Sequence, residues 1–140
     1  MTDPFDLQRF VDAQAPVYQH VTAELQQGHK QSHWMWFIFP QLAGLGHSPM
    51  AQRFAIASRE EAAAYLGHGV LGPRLRQCTA LVNAVRGRTI REILGSPDDL
   101  KFRSSKRLFD AVARDREFAD AIAKYYGGTP DQKTLDLLRR

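Results

Sequence analysis

Residue types able to bind or transform a small molecule fall mainly in two stretches, "KQSHWMWFIFPQLAGLGHS" over 30–48 and "GSPDDLKFRSSKRLF" over 95–109. In the first, Lys30, His33, Trp34, Trp36 and Gln41 surround a solid apolar run. Each indole brings an N–H that must find an acceptor when buried, and polar groups set against aromatic surface are the usual lining of a small-ligand pocket. His33 is the candidate acid/base. The loop that follows puts Gly44 and Gly46 before His47 and Ser48, a tight turn whose backbone N–H groups can approach an anion. In the second stretch, Asp98 or Asp99 would be the carboxylate partner of His33. Lys101, Ser104 and Ser105 offer a cation and two hydroxyls suited to a phosphate. Asp98 stands three residues before Lys101 and can pair with it on a helix.

Other chemistries find less support. Gly44 and Gly46 do not make a dinucleotide-binding fingerprint and follow no convincing strand. His47 and His68 lack a partner at metal-ligand spacing, so no metal and no cofactor is expected. Arg103, Lys106, Arg107 and Arg114 could form a basic helix face. Asp110 and Asp115 dilute it and no nucleic-acid module signature appears, so a nucleic-acid partner is not expected. Cys78 sits in an apolar helical pattern, which predicts a buried, inert thiol.

The elements that must carry these residues read as helices. Leu7, Phe10 and Val11 share one face of a short first helix. Pro16 suits the first turn of a second, which Gly28 stops. Ser58-Arg-Glu-Glu61 reads as a capping box, and Pro73 as the start of a helix carrying Leu75, Cys78, Leu81, Val82 and Val85. Thr89 caps "IREIL", closed by Gly95, and Ser96-Pro97-Asp98-Asp99 combines a cap, a first-turn proline and two acids. Phe118, Ile122, Tyr125 and Tyr126 mark another helix ending at Gly127-Gly128, and Thr129-Pro130-Asp131-Gln132 opens a last one. "LGHSPMAQ" reads as a loop, and only "MWFIF" and "FAIA" compete as short strands. The expected fold is all-α: one compact domain over 1–140 with about six to eight short helices. Within 30–41, Met35, Phe37, Ile38 and Phe39 are expected in the core.

The composition agrees with such a domain. The chain has 140 residues, 44% hydrophobic and 24% charged, with a net charge of +4. That is enough chain for a real core, with at most a mild preference for anionic partners. A single cysteine excludes an internal disulfide and points to a reducing, cytoplasmic setting. No apolar run is long enough to span a bilayer, and the amino terminus does not read as a signal peptide, so no membrane partner is expected.

The strings "LQRFVDAQ", "ELQQGHKQSHWMWFIFPQLAGLGHS", "EAAAYLGHGVLGPRL", "ILGSPDDLKFRSSKRLF" and "DQKTLDLL" occur in an order that resembles the bacterial family catalogued as domain of unknown function 1810. The resemblance covers nearly the whole chain and implies a compact all-helical domain without an assigned activity. The family pattern has Met-Thr-Leu-Phe where this chain carries Lys106-Arg107-Leu108-Phe109, and Pro after His where it carries Gly69. A looser likeness to the helical NADAR proteins suggests a hydrolase of an ADP-ribose-like ligand as one alternative. The leading expectation is a pocket for a small anionic or nucleotide-like molecule around "SHWMWFIFPQ". A non-catalytic protein-interaction module, using Tyr125, Tyr126 and "LDLLRR", is the other.

Overall fold

The computed structural model describes residues 3–113, 115–127 and 131–139. Among them it contains ten helices and no strand. They are α1 (Gln8–Gln14), α2 (Tyr18–Gln26), α3 (Met35–Ile38), α4 (Pro49–Arg53), α5 (Arg59–Gly67), α6 (Leu71–Ala84), α7 (Ile90–Leu94), α8 (Asp98–Ala113), α9 (Arg116–Tyr126) and α10 (Gln132–Leu138). The all-α expectation holds, but the count exceeds six to eight because α3 and α4 are present. Both are single turns, too short to show a period. α4 nevertheless carries a start signal: Ser48 Oγ accepts from the Ala51 N–H, with Pro49 at the first helical position. "LGHSPMAQ" is therefore half helix.

The strand candidates resolve differently. "MWFIF" winds into α3, while "FAIA" supplies one parallel bridge, Leu42 to Ile56. There the Ala43 N–H donates to the Ile56 carbonyl and the Ile56 N–H to the Gln41 carbonyl. The second helix begins at Tyr18, so Pro16 lies in the turn before it. Arg114, Gly128, Thr129, Pro130 and Arg140 lie outside the described residues.

Caps set the remaining boundaries. Thr89 and Glu92 form a reciprocal capping box, and Gly95, at φ 81°, ends α7 in a conformation that a side chain would strain. At α5 only half of the expected box forms. Ser58 accepts from the Glu61 N–H, but the Glu61 carboxylate reaches the Ala57 N–H and Arg9 instead. That ion pair, 2.9 Å long and largely buried, ties α1 to α5.

Helix α8 is the central element, packed against α5, α7, α9 and α10, while α6 packs against α2, α5 and α9. Of the predicted face of α6, Leu75, Cys78 and Val82 are buried while Leu81 and Val85 are half-buried, and the helix starts at Leu71, two residues before Pro73. Aromatic rings run through the interior in edge and tilted contacts, Phe54–Phe10–Tyr65–Phe109–Phe118 on one side and Trp34–Phe39–Phe102 on the other. Met35, Phe37, Ile38 and Phe39 are all core, as expected.

Lys106 departs furthest from its sequence appearance. It is fully buried, its Nζ 2.9 Å from Thr79 Oγ1 and 4.6–5.7 Å from the rings of Phe39, Phe102, Phe109 and Phe118. The expected basic face therefore loses a member. Arg107 pairs with Asp110, Arg103 lies over Tyr126, and Arg114 lies outside the described residues. Cys78 is buried as a free thiol, and burial pushes it up to about 11.

Candidate ligand-binding cleft

Two local devices bring the distant stretches 30–41 and 95–104 together. The Lys30 N–H donates to the Ile93 carbonyl at 2.7 Å, which fixes the segment before α3 alongside α7. Gly95 then reverses the chain, and the cis Ser96–Pro97 peptide leads into α8, whose Asp99 N–H is received by the Gly95 carbonyl. Asp98 consequently faces Lys30, with Lys30 Nζ 2.9 Å from its Oδ2. Lys101 Nζ lies 3.7 Å from the other oxygen, Oδ1, one helical turn on. It also lies 5.4 Å from the ring centre of Trp36, within cation–π range.

Around this group the surface is cleft in two compartments. One, of about 260 Å³, is lined by Lys30, His33, Trp36, Gly95, Pro97 and Asp98 among others. The second, of about 340 Å³, includes Gln41, Gly46, Lys101, Ser104, Asp131 and Lys133 in its lining. Pro97 lines both, and Trp36 and Lys101 together line a small gap of about 10 Å³ beneath. The wall between the compartments is thus Trp36, Pro97 and Lys101. Trp36 is half-buried, and its Nε1 is buried with no hydrogen-bond partner among the described residues.

The candidate residues divide accordingly. Lys30, His33, Trp36 and Asp98 line the first compartment, and Gln41, Gly46, Lys101 and Ser104 the second. Gly46 is required by close approach: a Cβ there would stand 2.7 Å from the Ala51 Cβ and 3.3 Å from Gln41 Nε2. Ser104 Oγ donates to Asp131 Oδ2 at 2.7 Å, linking α8 to α10.

The other candidates point elsewhere. Trp34 is 1% exposed, and its indole donates to Glu24 at 3.0 Å. Glu24 also receives the Gln31 and Ser32 N–H groups and the Ser32 hydroxyl. Burial works to raise the Glu24 carboxyl, but these four donors outweigh it and hold the group at about 2. Nothing in the sequence marks Glu24 as special. Its helix shows nothing unusual, and only the fold reveals that it latches the segment carrying both tryptophans.

Ser105 faces the core and is fully buried. Asp99 lines neither compartment, and its backbone carbonyl accepts from the Tyr126 hydroxyl. Ser48 caps α4, while the His47 carbonyl receives the Gln52 amide and the imidazole lies outside both compartments. Among the described residues, no three His, Cys, Asp or Glu are grouped to hold a metal ion, and no helix is long and apolar enough to cross a membrane. A separate cavity of about 240 Å³ lies between Leu42, the start of α5 and Leu137, and contains none of the candidates.

The chain is similar to known proteins over nearly its full length. The crystal structure of the conserved hypothetical protein Rv1873 from Mycobacterium tuberculosis matches with a TM-score of 0.97 and 58% identity, covering 99% of each chain. A search of curated proteins finds no match. The model of the protein family of unknown function DUF1810 matches residues 4–138, and the chain belongs to that family.

Proposed function

We propose that this protein binds a small anionic molecule in the cleft between α3 and the start of α8. The observation that carries the reading is the state of Lys101. Lys30 already satisfies Asp98 at 2.9 Å, while Lys101 stands off at 3.7 Å beside the Trp36 ring, with its side chain 28% exposed. A cation held against an indole, with no short partner among the described residues, is poised to accept an anion whose flat or apolar part rests on Trp36. Lys30, 8% exposed, has the structural role of holding Asp98. His33, exposed at the rim, contacts the ligand from the solvent side.

Binding is favoured over hydrolysis of an ADP-ribose-like ligand because Asp98, the carboxylate that lines the same compartment as His33, is engaged with Lys30. An interaction module would need a contiguous apolar patch. The exposed large hydrophobics among the described residues are Val70 and Leu100, at 38% and 55%, on separate elements. The buried free thiol of Cys78 supports a reducing, cytoplasmic setting.

The test is a thermal-shift and amide–indole NMR titration with a panel of small anions, nucleoside monophosphates included. We expect a ligand that raises Tm and moves the Trp36 indole resonance, with both effects lost in Lys101→Ala. Binding that leaves Trp36 unmoved and survives Lys101→Ala would refute the reading.

A further inference from the structure

Lys101 has a second aspect that the binding of an anion beside Trp36 does not require. Its side chain also lines the neighbouring compartment, about 340 Å³, where Lys133 from α10 joins it. The carboxylate in that lining is Asp131, and its Oδ2 is already shared by the Ser104 and Thr134 hydroxyls. Among the described residues, neither Lys101 nor Lys133 donates a hydrogen bond, and neither lies within 4 Å of Asp131. Leu45, Pro97 and Leu100 supply an apolar part of the lining, and the polar part continues at Gln41 and Gly46. Gln41 contributes its amide, and the N–H of Gly46 meets no acceptor among the described residues. Two ammonium groups, Lys133 and a Lys101 held only by its long 3.7 Å pair with Asp98, stand with the Gln41 amide and the Gly46 N–H around one carboxylate already engaged by two hydroxyls, which makes the polar side of the hollow cationic. The chemistry that fits it is an oxyanion with several acceptor oxygens.

We infer that this second compartment is a phosphate subsite, and that the ligand is a phosphomonoester whose planar or apolar remainder crosses the Pro97 wall to rest against Trp36. The inference rests on the reading of the cleft given above and adds the phosphate group, Lys133 and α10 to it. Lys101 is the shared cation, which places the phosphate next to the ring it is attached through. Lys133 is the discriminating residue, because it lines the phosphate compartment and not the Trp36 one. Phosphate held between Lys101 on α8 and Lys133 on α10 also clamps the short carboxy-terminal helix to the body of the fold, adding to the Ser104–Asp131 bond already there.

The experiment uses the full chain with three probes: adenosine, adenosine monophosphate and inorganic phosphate. Affinities are measured by calorimetry, and amide hydrogen exchange is followed over residues 131–138. Lys101→Ala and Lys133→Ala are the variants. Both side chains reach solvent, so neither change opens the core. We expect the monophosphate to bind at least tenfold tighter than adenosine. Each variant should remove most of that advantage, inorganic phosphate should compete, and exchange over α10 should slow on binding.

Monophosphate binding that falls in Lys101→Ala but is unchanged in Lys133→Ala, with α10 exchange unaltered, overturns the phosphate subsite and leaves the Trp36 cleft standing. Equal binding of adenosine and its monophosphate overturns the subsite too. Absence of binding by the monophosphate and by inorganic phosphate overturns the subsite. The wider anion panel then decides the cleft reading separately.

Discussion

Replacing Lys106 by Met should stabilise the protein at neutral pH, and should do so by a pH-dependent amount. The amine is fully buried, with Thr79 Oγ1 as its hydrogen-bond partner at 2.9 Å. Thr79 sends its own proton to the Leu75 carbonyl at 2.8 Å, so its oxygen is free to accept from Lys106. No carboxylate among the described residues pairs with Nζ. Four phenylalanine rings attract a cation, but an ammonium stripped of water loses several kcal/mol of hydration. Burial therefore drives the Lys106 amine well below its ordinary value, opposed only by the nearby Cys78.

The sign follows from proton counting. Below the ordinary lysine range the unfolded chain binds more protons at Lys106 than the folded chain, whose amine burial holds down. Stability then rises with pH, by at most about 1.4 kcal/mol per unit, until the unfolded amine also deprotonates near pH 10. Cys78, raised to about 11, contributes in the opposite sense only above the ordinary thiol range, so the window is kept below it. Methionine has similar length and no charge to desolvate, and substitutions of this kind in buried ionic sites gain about 1–4 kcal/mol.

The assay is urea unfolding of wild type and Lys106→Met at half-unit steps over pH 7–8.5. The difference in stability should favour the variant most at pH 7 and shrink as pH rises. A difference independent of pH, with methionine the less stable, would refute the argument and show that the phenylalanine cage holds a charged ammonium.

Two further outcomes follow from the hydrogen bonds. Glu24→Gln removes the charged acceptor for Trp34, Gln31 and Ser32 and should lower Tm at pH 7. Because the folded carboxyl is depressed to about 2 from 4.5, its contribution is present above pH 4.5 and fades as pH falls towards 2. The gap between variant and wild type should therefore narrow over that interval in acid melting curves, and a constant gap would count against the latch. Thr89→Ala breaks the reciprocal capping box of α7 and should cost about 1 kcal/mol in denaturant unfolding, against no change if the box were idle.

Much of the helical framework was legible. Ser58 and Thr89 announced helix starts by type and spacing, Leu75, Cys78 and Val82 gave the buried face of α6, and Gly28 and Gly127 take positive φ at helix ends. α3 was hidden because an element that is apolar all round has no period, and Trp34 to Phe39 are apolar throughout. The candidate residues of 30–48 were separable in part. Met35, Phe37, Ile38 and Phe39 went to the core by hydrophobicity alone.

What tertiary structure decided is which polar groups meet. Sequence distance carries no information on whether Lys30 touches Asp98; the Lys30–Ile93 backbone bond and the Gly95 reversal do. The same holds for the two tryptophans, identical in type and two residues apart. One is sealed against Glu24 and the other is left at a cleft beside Lys101. Lys106 is the sharpest case, a cation in a basic-looking run that the packing of α6, α8 and α9 places among four aromatic rings. Local propensity and periodicity act within a few turns of one helix and are written in the chain. The partners of a charge are set by the crossing of helices far apart in sequence, and those only the folded protein defines.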